Sequence, residues 1–276
     1  MLDEHYTDYA RICINSIKTN YQNHPPILVF YYGDNESALA PINRIPGVEV
    51  IRWTNDLDKL IGLNIAAAKL GVVTYSRIHY KYLLWTNFFD SYDNVLYLDV
   101  DTLVLKPLDA IFTQEEFFAI SDYTTSPDYR LFYPAFADDA TLLGLLHKDN
   151  LFFPGGRNDM INAGVFMVPK KRRNEMCLRS LLEITHTYND YMMFADQSAI
   201  SLWCHYNNIP IQKKWIYNFQ VNFYNQDFNT LKHEDIHIIH FSWCKPDSPL
   251  FATFQVKFEH FFEMYRLFNV CRENQY

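Results

Sequence analysis

The sequence predicts an α/β fold, a Rossmann-like mixed sheet with helices on both faces. Three observations carry that expectation. Short apolar strands alternate with helix-period segments through the first half of the chain. An apolar content of 49% is enough to bury a sizeable core, which excludes a disordered chain. No internal repeat, low-complexity tract or Gly/Ser-rich linker divides the 276 residues, so 1–276 reads as a single domain.

The elements follow in order. Tyr9 to Lys18 reads as a helix. Pro26 to Tyr32 is a buried strand closed by Gly33-Asp34-Asn35, and Val48 to Trp53 alternates as a strand does. Thr74 to Phe89 has a helical period and leads to the apolar strand Asn94 to Leu98. From Tyr123 to Met160 the pattern breaks around Pro127, Pro134, Pro154, Gly155 and Gly156, with a short helical patch near Leu142 to His147. An irregular insertion of this length (123–160) in a compact domain is usually functional. Beyond it, Ile161 to Val168 and Ile236 to Phe241 read as strands. Lys171 to Thr187 and Asp196 to Tyr206 read as helices, and Thr253 to Val270 forms an amphipathic helix in the closing segment 250–276.

Composition narrows the function. A net charge of −8 argues against a general nucleic-acid binder. Five scattered cysteines without a C-x-x-C suit a reducing compartment better than a disulfide framework or zinc ribbon. No apolar run is long enough to span a membrane. The opening Met-Leu-Asp-Glu-His-Tyr lacks the features of a signal peptide, so a cytoplasmic location is expected. The 17% aromatic content reads first as core and only second as a platform for bases or sugars. Lys170-Lys171-Arg172-Arg173 reads as a solvated helix start, with weak peripheral membrane contact as the alternative.

One segment carries chemistry. The strand Val95-Leu96-Tyr97-Leu98 runs directly into Asp99-Val100-Asp101. Ligands of open α/β sheets sit beyond the carboxyl ends of strands. Two carboxylates around a chain reversal there can converge on Mg²⁺ or Mn²⁺, which bridges a diphosphate. A second Asp-x-Asp, Asp56-Leu57-Asp58, follows a polar turn and reads as a helix cap.

Leu98 to Val104 resembles the metal motif of retaining GT-A glycosyltransferases of family eight, the glycogenin and LgtC-galactosyltransferase type. Four more pieces follow the family's order: Asp3-Glu4-His5-Tyr6 with Ser16, Asn162-Ala163-Gly164-Val165, Asp196-Gln197, and His240 to Pro246. The resemblance covers residues 3 to about 247. It implies a GT-A fold and transfer of a hexose or related sugar from a UDP-sugar to a carbohydrate acceptor. Asp3 and Tyr6 would grip the uracil. Asp99, Val100 and Asp101 would meet the donor's metal and diphosphate. His240 would complete the ligand set for Mn²⁺ (or Mg²⁺), and Lys245 would face the diphosphate. Either Arg77 or Lys81 would reach the donor; as residues four apart in an α-helix they would share a face. Asp122 and Asn162 would bind the sugar hydroxyls. Asp196 and Gln197 would sit near the anomeric carbon, Asp196 doubling as a helix N-cap.

Some features depart from the family. Its first strand precedes the Asp3 position and has no counterpart in Met1-Leu2. Trp243 replaces a glycine, Lys245 comes one residue early, and Asp247 stands where Trp is usual. The insertion after Asp122 is longer than in glycogenin. These departures keep a catalytically silent carbohydrate-binding protein as the alternative. A phosphohydrolase is disfavoured, because no second acidic pair accompanies the Asp-x-Asp.

Overall fold

The computed structural model describes residues 3–62, 77–122, 131–132, 139–149, 160–221, 233–242, 245–246 and 268–273. Most of the insertion 123–160 and of the closing segment 250–276 lies outside them. The chain divides into two compact units, Met1–Trp53 with Leu98–Asp109 and Lys214–Tyr276, and Thr54–Tyr97 with Ala110–Lys213.

The first unit opens with a 3-10 turn, Glu4–Tyr6, capped by Asp3, and helix α1, Thr7–Asn20. Strand β1, Ile27–Tyr31, pairs in parallel with β2, Val48–Arg52, and helix α2, Glu36–Asn43, connects them. Ala10, Ile14, Val29, Tyr31, Leu39 and Ile42 form their shared core, and Val100 packs against it. The Val100 side chain therefore ties the Asp99–Asp101 turn to the packed centre of this unit.

Strand β4, Thr102–Val104, follows that turn, as β3, Asn94–Leu98, precedes it. Beneath it α1 presents Ser16, whose Oγ accepts from the Val104 N–H at 2.9 Å, and Asn20, whose Nδ2 donates to the Val104 carbonyl at 2.9 Å. Both backbone groups of Val104 are thus satisfied by one helix. Strand β8, Ile238–His240, runs antiparallel to β4 with Thr102 opposite His240, and β7, Phe219–Gln220, runs parallel to β8 with Gln220 beside His240.

The second unit starts at helix α3, Asn55–Ile61, which ends at Gly62 with φ 66°, a left-handed cap that glycine adopts without strain. The residue before α3 is Thr54, so Asp56 and Asp58 lie inside its first turn, where carboxylates complement the helix dipole. Strand β3, Asn94–Leu98, joins β6, Ile161–Pro169, which pairs antiparallel with β5, Phe118–Ser121. Helix α4 is the single turn Asp109–Phe112, α5 is Ala140–Lys148, α6 is Glu175–Tyr188 and α7 is Ala195–Tyr206. All nine residues of β6 are buried, as befits a strand covered on both faces.

Aromatic rings fill this unit's core. Trp85 and Trp203 cross edge to face at 5.4 Å, with Phe117 and Phe166 within 6 Å of Trp85. The ring-rich composition is therefore spent largely on packing.

Two expectations are corrected here. Arg77–Trp85 is a 3-10 helix, not an α-helix. At three residues per turn, positions four apart lie about 120° apart around the axis, so positions 77 and 81 do not share a face. The basic run is a solvated helix start only in part: Lys170 and Lys171 are exposed, whereas Arg173 is buried. It forms the 3-10 turn Lys170–Arg172, ahead of α6. Lys171 and Arg172 both pair with Glu116, at 2.6 and 3.1 Å. Arg173 is buried and donates to the carbonyls of Val168 and Tyr92. Three of the run's four charges are engaged within the chain. No helix among the described residues is long and apolar enough to cross a membrane.

Candidate active site

In the first unit the pairing of Thr102 with His240 brings the histidine to the Asp-x-Asp turn. The Phe241 N–H donates to the Asp101 carbonyl at 2.9 Å, and the Thr102 hydroxyl donates to the Asp99 carbonyl at 2.8 Å. The backbone of the turn is fixed from both sides. His240 Nε2 lies 3.5 Å from Asp101 Oδ1 and 3.8 Å from Asp99 Oδ2.

The donor atoms of Asp99, Asp101 and His240 all fall within 4.8 Å of one another. Ligands about 2.1 Å from one octahedral ion stand about 3–4 Å apart, so this set fits a single divalent cation. Two carboxylates with one imidazole suit Mn²⁺ or Mg²⁺, the imidazole favouring the former. Asp101 and His240 are buried, while Asp99 keeps an open edge. Lys245 forms an ion pair with Asp101 Oδ2. The lysine expected to neutralise a diphosphate thus stands at the carboxylates.

Asp3 and Tyr6 lie at the entrance to α1. The Asp3 Oδ1 accepts from the His5 N–H at 3.0 Å, and Tyr6 keeps its ring 40% exposed beside Tyr9 at 6.2 Å. An exposed ring next to a second ring is available for stacking. His237, by contrast, is structural: its Nδ1 lies 2.9 Å from the Pro107 carbonyl and its ring packs on Tyr217.

The second unit gathers the other candidates. Lys81 Nζ lies 3.0 Å from Asp196 Oδ2 and donates to the Ala163 carbonyl at 2.9 Å, and it sits 4.8 Å from the centre of the Tyr97 ring. Gln197 is held at both ends: its Oε1 accepts from the Ala163 N–H at 3.1 Å and its Nε2 donates to Asp122 Oδ2 at 3.0 Å. Asn162 is buried, and its Oδ1 accepts from the Gly164 N–H at 3.1 Å. Lys81, Asp122, Asp196 and Gln197 thus converge on the Asn162–Ala163 end of β6. The Arg77 side chain lies outside the described residues.

Asp196 is not an N-cap. The cap position of α7 is Phe194, with no side-chain cap bond, and Asp196 lies in the first turn. There its charge complements both the helix dipole and Lys81. The residue before it, Ala195, has φ 31°, a region that a Cβ disfavours. Such strain is kept where surrounding structure over-determines it, commonly beside functional groups.

Two site residues escape sequence reasoning. Asn218, buried, places Oδ1 3.0 Å from His240 Nδ1. Gln220 is buried beside His240 in register, and its amide has no hydrogen-bond partner among the described residues. Both lie in the aromatic stretch Trp215 to Gln220. The available signal is an amide set among rings just ahead of a histidine-bearing strand.

Solved structures share this architecture. The galactosyltransferase LgtC, solved in complex with donor and acceptor sugar analogues, superposes with a TM-score of 0.60 at 18% identity, covering 96% of this chain and 93% of its own. The bifunctional glycosyltransferase WbbM matches at 0.66 and 17% identity over 99% of this chain and 49% of its own. Mouse xyloside xylosyltransferase 1 matches at 0.54 and 14% identity over 88% of this chain and 94% of its own. No curated protein sequence matches the chain.

The fold these structures share with this chain is the GT-A type. Residues 1–246 match the profile of Glycosyl transferase family 8, and the chain belongs to that family.

Proposed function

We propose that the chain is a divalent-metal-dependent, retaining glycosyltransferase that moves a hexose or related sugar from a UDP-sugar to a glycan acceptor. The observation that carries this reading is the convergence of Asp99, Asp101 and His240 on one cation-sized space, with Lys245 beside them. The bound ion would supply Lewis-acid neutralisation of the departing diphosphate. Lys245 adds a fixed positive charge to the same leaving group, a form of electrostatic stabilisation. Tyr6 offers its ring to the uracil, and Asp3 an acceptor carboxylate.

In the second unit, Asp122 and Asn162 serve the sugar hydroxyls. Lys81 pairs with Asp196, and a carboxylate there opposes the positive charge that develops at an anomeric carbon. Gln197, fixed at both ends, supplies a directed dipole. A reducing compartment suits the buried free thiols of Cys13, Cys177, Cys204 and Cys271.

The test is incubation with Mn²⁺ and a panel of UDP-sugars, reading UDP release and the anomeric configuration of the product. Calorimetry of UDP with and without Mn²⁺ should give a metal-dependent affinity. Equal affinity in both conditions would overturn the ligand assignment.

A further inference from the structure

The two nitrogens of His240 face different groups. Nε2 looks at the carboxylates of Asp99 and Asp101, 3.8 and 3.5 Å away. Nδ1 looks at Asn218 Oδ1, 3.0 Å away. Both residues are almost wholly buried, Asn218 at 1% and His240 at 3% exposure, so water does not compete for this bond.

The same backbone holds both partners. Asn218 closes the 3-10 turn Trp215–Tyr217, its N–H donating to the Trp215 carbonyl at 3.0 Å. It leads directly into β7, which pairs in register with β8 through Phe219 with Ile239 and Gln220 with His240. The distance from Asn218 to the imidazole is thereby built into the sheet.

A neutral imidazole carries one proton. If it sits on Nε2, a hydrogen points at the carboxylates and the ring cannot ligate a cation. If it sits on Nδ1, the Nε2 lone pair is presented to them. An amide oxygen facing Nδ1 accepts that proton's hydrogen bond and selects the second tautomer. Ligating histidines are commonly fixed this way by the partner of their other nitrogen.

We propose that Asn218 is a positioning residue that holds His240 in the Nδ1–H tautomer and so presents Nε2 as a metal ligand. The proposal rests on the metal-binding reading above. Its first test does not need the metal.

In the full chain labelled with ¹⁵N-histidine, two-bond ¹⁵N–¹H couplings report the tautomer of each ring in metal-free protein, recorded at rising pH until the His240 ring is neutral. The His240 signals are those missing from His240→Gln. The expected result is a protonated Nδ1 and a bare Nε2. An Nε2–H ring in the wild type would overturn the proposal.

The second test is Mn²⁺ titration with UDP present, followed by electron paramagnetic resonance. Asn218→Leu keeps the branched shape and removes the acceptor. It should lose the single tautomer and weaken Mn²⁺ binding about 10- to 100-fold. Asn218→Asp restores an acceptor oxygen and should recover both. A folded Asn218→Leu with wild-type Mn²⁺ affinity, or failure of Asn218→Asp to recover the tautomer, would sink the idea. If Asn218→Leu does not fold, the wild-type tautomer and the Asn218→Asp variant decide. If the wild type binds no Mn²⁺, the metal reading fails, while the tautomer still shows whether Asn218 sets the ring.

Discussion

The two units surround their carboxylates in different ways. In the first, Asp99 and Asp101 approach one histidine, and one lysine, Lys245, joins them. Two carboxylates against one ammonium leave this cluster negative. In the second, Asp196 is matched by Lys81 at 3.0 Å, and Gln197 uses both ends of its amide on its neighbours. Both clusters set two carboxylates against one ammonium, since Asp122 stands with Asp196 in the second. The difference is in how the carboxylates are met. In the first they face one histidine together, whereas in the second Asp196 meets Lys81 and Asp122 meets Gln197.

The largest expected difference comes from breaking each cluster in turn. Asp101→Ala removes a carboxylate from the proposed ligand set and also relieves repulsion with Asp99. Turnover, followed as UDP release with Mn²⁺, should fall by about three orders of magnitude, in line with the several kcal/mol a Lewis-acid metal supplies. Thermal stability should hardly change, because Lys245 is partly exposed and can turn to water. A variant that turns over at the wild-type rate would remove Asp101 from the ligand set.

Lys81→Met should do the reverse to stability. It leaves the carboxylate of Asp196 buried and unmatched, with side-chain exposures of 12% and 9% for the pair. Breaking such a pair from one side costs about 3–5 kcal/mol. Urea denaturation should show that loss, and Lys81→Met combined with Asp196→Leu should recover most of it. A single variant as stable as the wild type would mean that the pair is incidental to the fold.

The contrast explains what the sequence could reveal. Asp99 and Asp101 were legible because an apolar strand announces them, and strand ends are where ligands bind. His240 was legible through the family pattern alone; by itself it is one histidine among apolar neighbours. What brings it to the carboxylates is the three-residue strand Thr102–Val104, too short for periodicity to detect. In the second unit, Asp196 was read locally as a cap. Its partner, Lys81, lies far away in sequence, and nothing local points from one to the other. The 3-10 course of Arg77–Trp85 escaped for a related reason. Apolar spacing reports which residues are buried, as Tyr82 and Trp85 are, but not how tightly the chain winds.

His79 sharpens the comparison within the second unit, because it is a polar group that the unit does not satisfy. It is fully buried, and its ring nitrogens have no hydrogen-bond partner among the described residues. Burial pushes its pKa down from 6.5 to about 4. Above pH 6.5 the ring is neutral in both folded and unfolded chains. As pH falls from about 6.5 to about 4, the unfolded chain takes up a proton that the folded chain refuses, so stability declines and then levels off. At 1.36 kcal/mol per unit, the full loss is about 3 kcal/mol. His79→Phe packs a similar ring against Tyr82, 5.2 Å away, and should flatten this part of the curve. Identical slopes for variant and wild type in denaturation at several pH values would assign the acid loss to other groups.

The smallest expected effect tests whether exposed rings differ in purpose between the units. Tyr6 in the first unit is 40% exposed, and Tyr206 in the second is 52% exposed. Burial alone gives no reason to treat them differently. Their surroundings do: Tyr6 follows Asp3 at the entrance to α1, beside a second ring, Tyr9. Tyr206 ends α7 beside Asn207, away from the Asp196 end of that helix. Stacking on one base is worth roughly 1–3 kcal/mol. Tyr6→Ala should therefore weaken UDP binding about tenfold or more by calorimetry at fixed Mn²⁺. Tyr206→Ala should leave the dissociation constant unchanged, and neither variant should lose much stability, since each ring is already half in water. Equal effects from the two substitutions would show that Tyr6 acts through the fold and not through the base. An unchanged constant in Tyr6→Ala would reduce that ring to packing against Tyr9.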